Sequence, residues 1–478
     1  MSEPSWLSLV PPLLAISLTL ITRHVYLSLL GGLWVGYSIL AAWNPLTGIA
    51  DSIDGVISVL ANASDAKVVV FTLVIGALIA TLERSGGVQG FISSVEQKGW
   101  ITQARQSQWL AWIIGIVIFI ESNITVLVAG SISRPLFDRY KISREKLAYI
   151  IDSTSAPICI LIPLNAWGAF NLGLLNELEG ITPLQTFVGA LPYNLYAFAA
   201  VILTAFVIGK DWNIGPMRAA EQRAQDGQVL WPGATPLIDS TTSASDSEPE
   251  HNTHNATRPA PRARNMLVPI TAMLIMMPLG LYITGDGNLA QGSGSTSILW
   301  AVLFAVAIAW VLVLSQKLMN VDALTRTFLK GAGNLVPLAL ILMLALALGD
   351  LTIKLGTADY VASLIGPGLS AALLLPLVFV IAAGTAFSIG SSWGTFGILI
   401  PIAVPLAVTL GLPPEPFLAA VLSGGIFGDH ASPISDTTIV ASMAAATDHV
   451  DHVRTQLPYA LCAGAVSTAG FILIGLFL

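Results

Sequence analysis

The sequence predicts an all-α polytopic membrane protein built as two inverted-topology repeats. Each repeat is expected to hold five transmembrane spans and a re-entrant helical hairpin, with broken helices at the midplane. Three observations carry this. Of 478 residues, 54% are hydrophobic and only 10% charged, with a mean hydropathy of +0.77, where soluble domains run nearer ~25% charged. Apolar runs of about 20 residues recur along the chain, each long enough to cross a bilayer. Short motifs of the first half also return in the second, in the same order and offset by about 270 positions.

Ten apolar segments read as full spans: 6–22, 24–42, 67–83, 145–170 and 185–208, then 266–284, 297–315, 331–349, 416–446 and 457–477. Stretches 107–133 and 370–410 do not fit single spans. The first is basic on both flanks, with Arg84, Lys98 and Arg105 before it and Arg134, Arg139, Lys141, Arg144 and Lys146 after it. Basic flanks mark the cytoplasmic side. A segment that starts and ends on one side is a hairpin, here with Glu121-Ser122-Asn123 at its tip. Such backbone is tolerable at membrane depth only when it is buried in protein or lines a cavity.

The same rule places the acidic loops 43–66 and 171–184 outside and residues 210–265 inside. The last segment, rich in Ser, Thr, Asp and Pro, reads as a disordered cytoplasmic linker. The expected domains are a first inverted repeat at 1–209, the linker at 210–265 and a second inverted repeat at 266–478. Both termini fall on the extracytoplasmic side. Residues 1–5 carry Glu3 and no Lys or Arg, so no cleavable signal peptide is expected. Cys159 and Cys462 lie in apolar runs and suggest neither a disulfide framework nor a thiolate metal site.

Three motif pairs relate the halves. Gly87-Val-Gln-Gly-Phe91 and Gly356-Thr-Ala-Asp-Tyr360 each follow a third span. Thr125 follows the first hairpin tip as Thr395 follows Gly390-Ser-Ser-Trp-Gly. Asp152-Ser-Thr-Ser-Ala-Pro-Ile158 resembles Gly428-Asp-His-Ala-Ser-Pro-Ile434. An odd number of spans per half inserts the halves in opposite orientation, with the site where they meet.

The stretch Gly424 to Thr438 stands out in its apolar surroundings. Asp429 and Asp436 lie seven residues apart beside His430, Ser432, Ser435, Thr437 and Thr438, and Pro433 interrupts any helix there. Ionisable groups at membrane depth mark a functional site by default; the alternative is a loop outside the membrane that happens to carry Asp. Hard cations take oxygen ligands. The candidate ligands are Asp429, Asp436, Ser432, Glu121, Ser122, Asn123, Ser153, Ser155, Ser391, Ser392 and Thr395. Na+ itself is assigned to Asp429, Asp436, Asn123 and Ser391. Alternatively, the hydroxyls satisfy the preceding helical turn or glue helices together, Glu121 pairs with another helix, and Asp152 caps one.

A desolvated carboxylate has its pKa raised, and a bound cation lowers it again, so one oxygen cluster trades H+ for Na+. His430, His449 and His452 are candidate pH sensors; a structural histidine, and a charged helix boundary at Asp448-His-Val-Asp-His452, are the alternatives.

Phe427-Gly-Asp-His-Ala-Ser-Pro-Ile-Ser-Asp-Thr-Thr438, followed by Asp448-His-Val-Asp-His-Val-Arg-Thr-Gln-Leu-Pro458, resembles the signature of the NhaC family of Na+/H+ antiporters. Ser143-Arg-Glu-Lys-Leu-Ala-Tyr149, Asp152-Ser-Thr-Ser-Ala-Pro157 and Gly390-Ser-Ser-Trp-Gly-Thr395 agree with it. The resemblance implies the ion transporter superfamily fold: a scaffold domain, a transport domain with two hairpins, and a homodimer moving as an elevator. The chain departs from the family in one place, with Glu121-Ser122 where the family tends to carry paired aspartates.

The expected function is secondary active exchange of Na+ (or Li+) for H+ across the bacterial cytoplasmic membrane. The alternative is Na+- or H+-coupled transport of a small organic acid or amino acid, with Asn165, Trp167 and Trp393 lining the solute pocket. The partners are the bilayer, a monovalent cation and a proton. No nucleic acid and no cofactor beyond the transported ions are expected. Against an enzyme, no nucleotide loop or nucleophile–base pair stands in a soluble domain.

Overall fold

A computed structural model describes residues 5–22, 24–96, 102–119, 122–163, 165–176, 178–236, 262–288, 292–357, 359–360, 363 and 370–478. Among these the regular structure is helical. The first half holds α1 (Val10–Thr22), α2 (Val25–Leu40), α3 (Pro45–Ala61), α4 (Ala63–Arg84), α5 (Gly87–Glu96), α6 (Ala104–Val117), α7 (Ser122–Arg139), α8 (Arg144–Leu161), α9 (Ala166–Asn176), α10 (Pro183–Ala190), α11 (Leu195–Lys210) and α12 (Pro216–Gln225). The second half holds α13 (Arg264–Thr284), α14 (Gly294–Ser315), α15 (Val321–Asn334), α16 (Val336–Lys354), α17 (Ala371–Ile389), α18 (Ser392–Thr409), α19 (Pro414–Ala431), α20 (Asp436–Ala445) and α21 (His449–Leu476). Among the described residues, seven helical segments are long and apolar enough to cross a membrane, or nine if each of two bent pairs is one span. The chain is an all-α polytopic membrane protein.

Two sets of contacts organise the helices. α1–α4 pack with α13–α16, while α6–α8, α11 and α17–α21 pack among themselves; α16 against α18 and α4 against α9 join the sets. α6 and α7 run back on each other around residues 118–121, and α17 and α18 around Gly390. Both stretches that do not fit single spans are therefore helical pairs. α17 and α19 approach closely because Gly424 and Gly428 face α17. A Cβ on Gly428 would run into the backbone carbonyl of Ala383, and one on Gly424 into that of Phe379.

The structure corrects the sequence reading in four places. First, the loop 43–66 holds α3, turned 119° from α2. Asn44 starts it by accepting from the Leu46 and Thr47 amides, with Pro45 at the first position. Gly48, Ser52, Gly55 and Val59 face the protein, and Leu46, Ile49, Ile53, Ile57 and Leu60 form an exposed apolar stripe. Acidic Asp51 and Asp54 disguised this helical period. Second, the span expected at 331–349 divides into α15 and α16, meeting at Leu335.

Third, the helix does not break at Asp152–Pro157. α8 runs through Pro157 to Leu161, and the interruption falls at 162–165. Ile162 precedes Pro163, and a residue before proline is pushed to extended backbone; its φ and ψ are −113° and 112°.

Fourth, the expected disordered linker is folded in its first part. α12 docks on α8, with Arg223 bound to both Glu145 oxygens at 2.7 and 2.8 Å. Glu221 Oε1 accepts from the amide (2.8 Å) and hydroxyl (2.5 Å) of Ser143. Lys146, fully buried, reaches Asp211 at 2.7 Å and Glu221 at 3.4 Å. Residues 237–261 of the linker lie outside the described residues, as does part of the Gly356–Tyr360 motif. Removing one member of a buried ion pair strands the other charge, at about 3–5 kcal/mol. Glu145 is fully buried, so Arg223→Ala is expected to lower the melting temperature of the purified protein sharply. Wild-type melting would show that α12 does not hold α8.

Candidate functional site

Two chain interruptions meet at the centre of the α17–α21 group. α19 stops at Ala431 because Ser432 precedes Pro433 and adopts extended backbone (φ −80°, ψ 132°). Ser435 restarts the chain as α20 by accepting from the Thr438 amide. Beside this break, α17 ends on Gly390 in the left-handed region (φ 70°), which glycine adopts without strain. A Cβ on Gly390 would meet the Ile434 carbonyl at 2.5 Å, so hairpin turn and helix break are stacked. Ser432 Oγ ties them by donating to the Phe387 carbonyl (2.6 Å).

Asp429 sits in the last turn of α19, 1% exposed. Ser392 Oγ, at the start of α18, donates to its Oδ2 (2.8 Å). Ser435 Oγ, from the break, donates to its Oδ1 (2.5 Å). One carboxylate thus gathers hydroxyls from both interruptions, next to the amino ends of two helices, where negative charge is favoured.

Asp152 of α8 is the second buried carboxylate, also 1% exposed. Its Oδ2 accepts from Thr438 Oγ1 (3.2 Å) and from Gln456 Nε2 (2.7 Å). Ser435 and Thr438 share the first turn of α20, so this turn links Asp429 on one side to Asp152 on the other. The motif pair Asp152 and Asp429, matched in sequence, thus converges in space.

The other expected site residues divide. Ser122 is buried at the start of α7, Asn123 follows it and Ser391 precedes α18. Asp436 opens α20. Glu121 lies outside the described residues. Ser432 is engaged with Phe387, and Thr395 Oγ1 with the Ser391 carbonyl at 3.2 Å. Ser155 Oγ donates to the Asp152 backbone carbonyl (3.1 Å). Ser153 Oγ lies 3.0 Å from His430 Nε2, and Tyr196 OH 2.7 Å from His430 Nδ1. His430 is 3% exposed, a buried bridge between α8 and α11. These hydroxyls brace helices rather than face the carboxylates. Asn165 does the same, donating to the carbonyls of Phe119 (3.0 Å) and Cys159 (2.8 Å).

Gln456, Tyr196 and Ser442 were not legible as site residues. Gln456 carries the only available signal: it lies one helical turn after His452, on the same face. His452 and Gln456 are both buried.

A family model described as the Na+/H+ antiporter family matches residues 171–476. The chain belongs to this family. It is 32% identical over 500 residues to an uncharacterized protein of Haemophilus influenzae, covering 99% of this chain and 91% of that one. It is 30% identical over 214 residues to the arginine/ornithine antiporter ArcD of Halobacterium salinarum, covering 44% of this chain and 41% of that one. The Na+/H+ antiporter NhaC of Alkalihalophilus pseudofirmus is 31% identical over 116 residues, 24% of each chain. The crystal structure of the Alcanivorax borkumensis YdaH transporter, described as having an unusual topology, superposes with a TM-score of 0.61 at 14% identity, over 94% of this chain and 97% of that one. That likeness establishes the fold. The NhaC resemblance read from the motifs agrees with the family match.

Proposed function

We propose that this antiporter-family protein exchanges Na+ (or Li+) for H+ by alternating access, with cation and proton opposing each other at buried carboxylates. The observation that carries the reading is Asp429, buried and bonded to one hydroxyl from each interruption. A hard cation there takes carboxylate and hydroxyl oxygens without needing soft ligands. Asp436, Asn123 and Ser391 complete the proposed cation set, since each opens or precedes a helix beside the same junction. Ser392 and Ser435 position the Asp429 carboxylate.

The test uses purified protein in liposomes with an inside-acid pH gradient, scanned with Na+, Li+ and K+, then with organic acids and amino acids. Na+ or Li+ is expected to dissipate the gradient. A gradient insensitive to every cation and collapsed by an organic solute would reject the exchange reading.

The reading includes inverted repeats at 1–209 and 266–478, insertion in the bacterial cytoplasmic membrane with both termini outside, and a homodimer. Lys and Arg asymmetry supports the orientation. Single cysteines at Ser247 and Pro413, in a background lacking Cys159 and Cys462, test it. An impermeant thiol reagent applied outside is expected to label position 413 and spare 247; the reverse pattern would overturn the orientation.

One observation favours a second reading, coupled transport of a small organic anion. Trp167 is fully buried, its ring 4.4 Å from that of Trp393 beside the Asp429 junction. Its indole N–H has no hydrogen-bond partner in the structure, and a buried N–H of this kind is costly unless something accepts from it. A solute carboxylate would. The organic-acid arm of the same liposome scan separates the two readings.

A further inference from the structure

Three side chains at the far end of α20 take no part in holding the cation. α20 ends at Ala445, and the chain turns through Ala446 (φ 49°) to Asp448. Asp448 caps α21 by accepting from the Val450 (2.9 Å) and Asp451 (3.2 Å) amides. The turn lays the start of α21 against α20, and two histidine rings meet one serine. Ser442 Oγ lies 2.9 Å from His449 Nδ1 and 2.9 Å from His452 Nδ1. His449 is partly exposed and His452 fully buried.

Hydrogen-bond chemistry sets where the protons stand. Gln456 Nε2 lies 2.7 Å from Asp152 Oδ2 and 2.6 Å from the His430 carbonyl, and both of these only accept. Gln456 Oε1 is therefore the atom 2.8 Å from His452 Nε2, which must carry hydrogen. His449 Nε2 lies 2.7 Å from the Pro433 carbonyl and must carry hydrogen too. Both Nδ1 atoms then face a hydroxyl with a single hydrogen. With both rings neutral, one Nδ1 meets oxygen with no hydrogen between them. With one added proton each contact is satisfied: the charged ring donates to Ser442, and Ser442 donates to the other ring.

We propose that His449, Ser442 and His452 form a proton path from the partly exposed edge of the bundle to Asp152, the first buried carboxylate that a transported proton reaches. The step balances. The N–H bond at His449 Nδ1 breaks as an O–H forms on Ser442, whose own O–H breaks as an N–H forms at His452 Nδ1. The charged His452 then gives up its Nε2 proton to Asp152 Oδ2, 4.0 Å away. Both rings of the path and the carboxylate end neutral, and His452 holds its remaining hydrogen on Nδ1. Other titratable or charged groups around the path are His430 on α19, Asp436 at the start of α20, and Asp448 and Asp451 on α21. Glu145 of α8 and Arg223 of α12 are paired with each other. A proton on Asp152 removes negative charge from the cluster that α20 shares with Asp429, which opposes the cation there.

This path rests on the exchange reading, so two fluxes are measured on full-length protein in liposomes. One is proton movement driven by added Na+, followed with a pH-sensitive dye. The other is exchange of radioactive Na+ for Na+ at equal pH, which moves no net proton. Ser442→Ala is expected to slow the first by about tenfold or more, in line with loss of a proton-transfer group, while the second stays within about twofold. Ser442→Thr, which keeps the hydroxyl, is expected to restore the first. Wild-type proton movement in Ser442→Ala, or an equal fall in both fluxes, would overturn the path. Wild-type protein that moves Na+ but no protons would instead reject the exchange reading before any variant is compared.

Discussion

Asp429→Asn is expected to abolish Na+-driven proton movement while leaving the protein folded. Asparagine keeps the side-chain shape and one acceptor oxygen, so either the Ser392 or the Ser435 hydroxyl retains its partner. The charge and the titration are lost. A cation in that junction then faces a neutral amide in place of a carboxylate, and no proton can be traded for it. Activity should fall by about 100-fold or more, the upper part of the range for a positioned acid–base group. Asp436→Asn is expected to act in the same direction, since Asp436 opens the helix that Ser435 caps. The measurement is initial transport rate at saturating Na+, with melting temperature as the folding control. Wild-type rates in both variants would move the site to Asp152 and Glu121.

Apparent Na+ affinity is expected to weaken as pH falls. Binding of the cation requires the carboxylate cluster to be charged, and protonation removes that charge. Below the pKa of the cluster, each unit of pH therefore raises half-saturating Na+ up to tenfold, about 1.4 kcal/mol for each proton displaced. Maximal rate should change less, because saturating Na+ outcompetes the proton. Glu121→Gln should shift this profile less than changes at Asp429, since the first hairpin tip contributes a single acid. Half-saturating Na+ measured from pH 6 to 9 checks the sign. A flat affinity with a rate that follows pH would exclude antagonism at the cluster and leave the histidine path as a sensor only.

The membrane class, the two hairpins and the importance of the Asp429 stretch were legible in the sequence for local reasons. Apolar length reports bilayer thickness. Basic flanks on both sides of 107–133 forbid a single crossing. A proline between serines beside buried acids marks an interruption, and Ser432–Pro433 behaves as expected because its backbone constraint is covalent. The same constraint at Ile162–Pro163 went unread because Pro157, nearer the acid, drew the interruption to itself; in the fold its helix continues.

Tertiary structure alone decided which polar side chains face the ion site and which brace helices. Ser153, Ser155, Ser432 and Thr395 are chemically equivalent to Ser392 and Ser435 in a sequence, and only neighbouring backbone and rings distinguish them. Phe387 offers Ser432 a carbonyl and His430 offers Ser153 a ring nitrogen, whereas Ser392 meets the Asp429 carboxylate. A hydroxyl bonds to whatever acceptor packing brings within reach, and in this protein those acceptors come from helices tens to hundreds of residues away. The pairing of Gln456 with Asp152, 304 positions apart, is of that kind. So is the meeting of His449 and His452 on Ser442, which depends on a turn at Ala446 that reverses α20 onto α21.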